Sequence, residues 1–402
     1  MHQEKYVFAQ LVSFLDNFKF RRIVQKYDGD KYVKSFTCWN QLLVMMFAQL
    51  TKQDSLRTTS LTIESLGPMC YHLGFGKGVT RSNLSKANQE RDCRIFEEFA
   101  YFVVNVAREK RVTDIFSLDG NVYAFDSTTI DLCLKVFWWA RFRKHKGGVK
   151  IHTLYDIETQ IPAFFHITEA KVNDINAMDE IPYESGSYYI FDRGYNDYKR
   201  LYTIHQIGAY FVIRAKTNLH YNTEKWKRRM PDNVLSDQMI TLSGYYSQKK
   251  YPEPIRKVIY WDEEQNREFE YLTNATEITA LQVANLYKNR WQVELFFKWL
   301  KQHLRIKKFW GTNENAVRIQ IYSAITAYCM VAIVQHDLHI DKSIYDVLQI
   351  LDRNLTHKIL LQELFDKSKI KNFKNQIGPS ILESLKVVKM MIIESIIEAS
   401  DS

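Results

Sequence analysis

The sequence predicts an α/β protein: a mixed sheet with helices, interrupted by an all-β insertion and flanked by helical regions at both ends. Three observations carry this. From about 118 to 216, short runs of β-formers lead into a strand–helix–strand unit. From 217 to 275 the alternation is of the strand kind throughout, punctuated by Pro231, Pro252 and Pro254. Before and after these stretches the apolar residues recur at helical spacing.

Residues 1–110 read as a helical N-terminal domain. "FTCWNQLLVMMFAQLTKQ" has helical periodicity, and "VTRSNLSKANQERDCRIFEEFAYFVVNVAREK" shows a start signal at Thr80 or Ser82 followed by one long amphipathic pattern. Short helix pairs of this type can enter a DNA groove, and they can equally form a bundle that only packs. Residues 111–216 begin the α/β domain: strands at "NVYAFDSTTI", "GGVKIHTLYD", "IPAFFHITEA" and "SGSYYIFDRGY", a helix at "YNDYKRLYTIHQIG", and a strand at "AYFVIRAK". The insertion, 217–275, contains "MITLSGYYSQKK", "IRKVIYWD" and "REFEYLTN", all read as strands. The α/β domain resumes over 276–335, and 336–402 is a helical C-terminal region.

The chain has 402 residues, 46% of them hydrophobic, which is ample for a packed core in two or three domains. With 55 Lys+Arg against 46 Asp+Glu its formal charge is +9, which favours a polyanionic partner, nucleic acid before membrane. Five scattered cysteines without a CxxC pair indicate neither a disulfide framework nor a zinc site; reduced cytosolic thiols are expected. "MHQEKYVFAQ" lacks a secretory pattern. The apolar run "IQIYSAITAYCMVAIV", 319–334, carries Gln320, Ser323 and Thr326 and is expected to be a buried core helix.

One segment departs from what stability alone would select. "YKNRWQVELFFKWLKQHL", 287–304, holds a single acid, Glu294, followed by nineteen residues without another, in a tract that includes Lys298, Lys301, Arg305, Lys307 and Lys308. Wound as one helix at about 100° per residue, Tyr287, Arg290, Glu294 and Lys301 fall within about 60° of one another. Leu286, Val293, Phe296, Phe297, Leu300 and Leu304 form the neighbouring apolar face. Such stripes are usually solvated edges. Two further acids change the weighing: Asp126 in "YAFDSTT" and Asp192 in "YYIFDRGY" each follow apolar β-formers, where a carboxylate is costly unless neutralised. Mg²⁺ or Mn²⁺ would neutralise them and keep waters for a phosphate substrate. Two ions about 3.5–4 Å apart can activate a nucleophile and stabilise a leaving oxygen.

"FDSTTI", "FDRGY" and the pattern Y-x2-R-x3-E-x6-K (Tyr287, Arg290, Glu294, Lys301) resemble the DDE transposases of bacterial insertion sequences, in the group called insertion-sequence family four. The resemblance covers about 118–335, and "LTN" before the signature and "GTNENAV" after it belong to it. It implies an RNase H-like fold with the β insertion between the second Asp and the Glu. It implies a triad of Asp126, Asp192 and Glu294 holding Mg²⁺ (Mn²⁺ substituting), two ions in all. It implies that Tyr287, Arg290 and Lys301, with Arg193 and Lys298, contact DNA. The expected activity is cut-and-paste transposition: binding terminal inverted repeats as a dimer, cutting through a hairpin intermediate, and joining 3′-OH ends to target DNA. The expected place is the bacterial cytoplasm, on the nucleoid, with no membrane association.

Other residues carry less. Asp119 lies in a turn context, and Asp131, Asp156, Asp174 and Asp197 are expected as solvated acids at element ends. His152 and His166 alternate in strands and read as core or surface residues; His336 and His339 lack a third ligand. No P-loop or GxSxG elbow is present. The basic stretches "WWARFRKHKGGVK" (138–150) and "KWKRR" (225–229) join the 298–308 run as a DNA backbone track. Among the insertion's aromatics, Trp226, Tyr245, Tyr246, Tyr260 and Trp261, one could stack on an extruded base. Two rival readings use the same residues: a transposase-derived DNA-binding protein without activity, and an RNase H-like metal-dependent nuclease that cuts but never joins.

Overall fold

The computed structural model describes residues 5–366 apart from 77, 133–136, 138, 144, 145 and 304–308. The chain opens with α1 (Val7–Val12), α2 (Asn17–Lys26), α3 (Cys38–Leu50), α4 (Leu56–Ser65), α5 (Met69–His72), α6 (Arg81–Glu90) and α7 (Arg94–Lys110). Thr80 starts α6 by accepting the Asn83 N–H, as its sequence signal predicts. The long pattern that follows is two helices and not one. Asp92 accepts from the Arg94 N–H, and Asn315 accepts from the Cys93 N–H and donates to the Arg91 carbonyl. Side chains thus satisfy the backbone groups that a continuous helix would have used.

A ten-stranded sheet follows: β1 (Val122–Leu132), β2 (Arg141–Arg143), β3 (Lys146–Asp156), β4 (Ile161–Glu169), β5 (Tyr188–Phe191), then α8 (Tyr198–Gln206), β6 (Tyr210–Arg214), β7 (Tyr221–Trp226), β8 (Val234–Leu242), α9 (Tyr245–Lys250), β9 (Ile255–Asp262) and β10 (Arg267–Thr273). β3 pairs antiparallel with β1 and β4, while β1, β5 and β6 run parallel. The order β4-β3-β1-β5-β6 with one reversed neighbour is the RNase H-like arrangement. Gly120, at φ +115°, lets the starts of β1 and β5 meet: a Cβ there would strike the Gly186 carbonyl, and Tyr188 N–H donates to Asn121 at 2.8 Å.

The strands of 217–275 do not form a sheet of their own. β10 pairs antiparallel with β6, so β10-β9-β8-β7 extends the core sheet to its far edge. Asn274, of the "LTN" motif, lengthens that seam by bonding both Phe211 N–H and Ala209 C=O at 2.8 Å. "MITLSGYYSQKK" is corrected in its second half. Tyr245–Lys250 is helical, not strand, and its tyrosines stay exposed on a short surface turn where no sheet neighbour rewards their β preference.

The rest is α10 (Ala280–Lys288), α11 (Trp291–His303), α12 (Glu314–Asp337), α13 (Ile344–Asn354) and α14 (Leu361–Phe365); the expected helical tail over 367–402 lies outside the described residues. α12 is the apolar run, and 94% of its most apolar window is buried inside the protein, so it is a core helix and not a membrane span. It packs on α7, α3 and α13, and one apolar cluster runs from Val7 to Phe365 through it. "GTNENAV" does structural work here: Asn313 caps α12 through Ala316 N–H at 2.8 Å, and Asn315 locks it to the α6–α7 corner.

Candidate active site

Two strands and one helix bring three acids together. Phe125 of β1 lies beside Phe191 of β5. The next residues, Asp126 and Asp192, are therefore neighbours where β5 ends. Alternation buries Phe125 in the cluster on one face and turns Asp126 toward the other, which α11 covers. Glu294 sits in the first turn of α11, where the helix dipole favours a carboxylate.

Residues of the signature close on these acids. Arg290 donates from Nη1 to Asp126 Oδ2 at 3.2 Å and from Nη2 to Glu294 Oε1 at 2.5 Å. Tyr287 Oη donates to Asp192 Oδ1 at 3.1 Å. Asp126 and Arg290 are largely buried, with side chains 22% and 14% exposed, whereas Glu294 is 55% exposed.

The expected single helix over 287–304 is corrected. It breaks at Asn289–Arg290, between α10 and α11. The Asn289 side chain donates to Asn285 C=O at 2.9 Å, and Arg290 N–H and Gln292 N–H take carbonyls only three residues back. The turn does not scatter the stripe, since Tyr287 and Arg290 still reach the acids. Lys298 is exposed on α11, and Lys301, one face-repeat beyond Glu294, is half-buried. Arg193 follows Asp192 directly and is half-buried, with Nε enclosed. Of the basic tract, Arg305, Lys307 and Lys308 lie outside the described residues, as do 138, 144 and 145 of the 138–150 stretch.

Burial pushes the Asp126 carboxyl up to about 6; the Ser127 N–H at 2.8 Å and Arg290 oppose the rise, and Glu294 and Asp192 add to it. Burial, then the Asp192 charge, lifts the Tyr287 phenol to about 12, so it remains a donor at neutral pH. A carboxyl raised in the folded state binds its proton more tightly there, so it costs stability above its folded value and stops doing so as pH falls from about 6 toward its ordinary range. Asp126→Asn is therefore expected to melt above the wild type at pH 7.5 and to lose that advantage by pH 4.5. Thermal melts of both metal-free proteins across this range check it.

Sequence reasoning missed the polar support behind Asp126. Ser127 Oγ donates to Asp174 at 2.7 Å, and buried Lys150 bonds the same carboxylate at 3.0 Å and Val172 C=O at 2.7 Å. Asp174 thus ties β1 to a 3₁₀ turn, Asp174–Glu180; it is 42% exposed at that element's end, as expected, but its bonds were not foreseen. Asp156, also expected as a solvated acid, is corrected: it is 2% exposed and accepts from Arg108 at 3.0 Å and from the Glu158 and Thr159 N–H groups, because its partner comes from a distant helix. Asp197 caps α8. His152 is a core histidine, its ring beside Thr168 and pulled by burial to about 4. A cavity of about 830 Å³ opens beside the acids, lined by Asp192, Glu294 and Arg290 together with Arg214, Tyr260 and Arg267.

Among the described residues no group of three or more His, Cys, Asp and Glu side chains stands ready as a metal site. The donor chemistry still fits a hard divalent cation: carboxylates from three elements, one of them buried at a cost that a cation would offset. The cation observed between Asp126 and Glu294 is Arg290.

Residues 117–330 match the family described as the transposase DDE domain. The chain belongs to the DDE transposases of bacterial insertion sequences. Residues 3–76 match a domain of unknown function. A putative transposase of Sinorhizobium fredii, y4zB, is 34% identical over 62% of this chain and 70% of that protein. A putative transposase for insertion sequence element IS4SA, from Synechocystis sp., is 27% identical over 71% of this chain and 80% of its own length. The solved piggyBac transposase synaptic complex with hairpin DNA is similar at a TM-score of 0.44 and 11% identity, over 92% of this chain and 82% of that one. DDE transposases as a family act on DNA and generally use divalent metal ions.

Proposed function

We propose that this transposase cuts and pastes its own insertion sequence. It binds the terminal inverted repeats as a dimer, hydrolyses the DNA at the element's ends, passes through a hairpin, and joins the freed 3′-OH ends to target DNA. The observation that carries the reading is the closure of Tyr287 and Arg290 on Asp192, Asp126 and Glu294 across two strands and two helices.

Asp126, Asp192 and Glu294 are the residues to hold Mg²⁺ or Mn²⁺, two ions when fully loaded. Bound there, the metal supplies nucleophile activation and leaving-oxygen stabilisation. The remaining work belongs to this chain. Arg290 has the fork geometry for a phosphate, and Lys298, Lys301 and Arg193 are the further cations proposed to contact DNA. Tyr287, held on Tyr271 at 4.8 Å between ring centroids, donates from a fixed position. Exposed Trp226 and its basic neighbours on the edge strand β7 suit a longer backbone track, with Lys227 partly engaged by Asp237 at 3.0 Å. Tyr260 borders the cavity beside the acids, with Phe269 and Tyr271 of the same insertion also in its lining, and this is where an extruded base would fit.

The test is incubation of purified protein with a fragment carrying its own element's ends, a target plasmid and Mg²⁺. The reading expects end-specific binding, cutting, and end–target joints. Cutting without joints would favour a nuclease, and binding without cutting a DNA-binding derivative.

A further inference from the structure

The signature residues meet the acids directly. Arg290 spans Asp126 and Glu294, and Tyr287 occupies Asp192. Arg290 is enclosed, its Nε buried without a hydrogen-bond partner, and its guanidinium lies 5.8 Å from the Tyr287 ring centre. The same side chain borders the open cavity of about 830 Å³.

We infer that Arg290 is a built-in competitor for the metal: its guanidinium takes the place between Asp126 and Glu294 that a divalent cation needs, and it gives that place up to a DNA phosphate. This rests on the proposed function. Two cations cannot share the space between two carboxylates without strong repulsion. A carboxylate oxygen already accepting from a guanidinium is also a weaker metal donor, since that lone pair is committed. The fork that fits carboxylates fits a phosphate equally well, and the adjacent cavity gives the side chain room to turn toward one. The unpartnered Nε leaves a donor that a phosphate in the cavity would satisfy. Each event then favours the other: phosphate that draws Arg290 away frees the carboxylates, and metal that settles on the carboxylates frees Arg290. Such coupling is reciprocal by necessity. Its consequence is that hydrolytic power assembles only when DNA is in place.

The experiment measures Mn²⁺ binding to full-length, DNA-free protein by the electron-paramagnetic-resonance signal of free Mn²⁺ at neutral pH. Arg290→Gln is expected to bind Mn²⁺ on the order of tenfold more tightly than the wild type, within the usual range of such couplings. Arg290→Lys keeps a charge but loses the two-pronged bridge, so its affinity should fall between the two. Equal or weaker binding by Arg290→Gln overturns the inference. If that variant does not fold, as judged by circular dichroism, the lysine variant decides: an affinity equal to or below wild type overturns it too. Asp126→Asn separates the two levels. If it binds Mn²⁺ as the wild type does, the carboxylate assignment itself has failed; if it weakens binding while Arg290→Gln does not tighten it, only the competitor role has failed.

Discussion

Asp126→Asn, Asp192→Asn and Glu294→Gln should each cut the element's ends at least roughly 10³-fold more slowly, at the upper end of what loss of one charge-stabilising group costs an enzyme. Each change keeps the side chain's size and removes one negative charge. For Asp126 that charge faces Arg290 at 3.2 Å, and for Asp192 the Tyr287 hydroxyl at 3.1 Å, so both amides can still accept those hydrogen bonds. The fold around the site is therefore preserved while its hold on a divalent ion is not. DNA binding should persist and strengthen slightly, because one repulsive charge near the phosphates is gone. A gel-shift and a cleavage assay on the same end fragment read both quantities. A variant that cuts at the wild-type rate would show that the wrong acid has been named.

The largest stability effect is expected far from the acids, at Arg256. This residue is 2% exposed in β9 and grips Asp237 of β8 with two bonds, Nε to Oδ1 at 2.8 Å and Nη2 to Oδ2 at 2.9 Å. Its third arm donates to the carbonyls of Ala275 and Ile278, just ahead of α10. It therefore joins the inserted strands to the helix that carries Tyr287. Burial works to raise the Asp237 carboxyl, but the bonds from Arg256 and Lys227 outweigh it and hold the group below the ordinary range. Arg256→Ala strands that carboxylate and two carbonyls, at a cost of about 3–5 kcal/mol. Denaturant unfolding measures it. Removing both partners together, as Arg256→Met with Asp237→Leu, should cost clearly less, because no charge is then left unpaired. Equal losses in the single and double variants would contradict this account of the pair.

The acids were legible because their surroundings made them expensive. Asp126 and Asp192 each end a run of buried β-formers, and Glu294 stands alone in a basic tract. The parallel pairing of β1 and β5, which sets the two aspartates side by side, is a contact between residues more than sixty positions apart and leaves no local trace. The break at Asn289 was hidden for the opposite reason. Apolar periodicity runs straight through it, and the turn is made by the Arg290 and Gln292 N–H groups shifting to carbonyls three residues back, with the Asn289 side chain adding a bond to Asn285 C=O. The role of Arg290 was half legible: its cationic place on the stripe could be read, but its bridge to Asp126 spans 164 positions and depends on that turn. Buried Asp156 and the Asp174 support were illegible because Arg108 and Lys150 come from other elements. The insertion was read from its alternation, yet nothing in that alternation says that β10 pairs with β6 and continues the core sheet.

Replacing each acid by cysteine tests the central claim most directly, that Asp126, Asp192 and Glu294 hold the metal at the scissile phosphate. Mg²⁺ binds thiolate sulfur poorly, whereas Mn²⁺ accepts it better. End cleavage by Asp126→Cys, Asp192→Cys and Glu294→Cys is measured in each metal. The account predicts three proteins that bind the ends, fail to cut them in Mg²⁺, and recover part of the activity in Mn²⁺. Wild-type cleavage in Mg²⁺ by any one of them would contradict it.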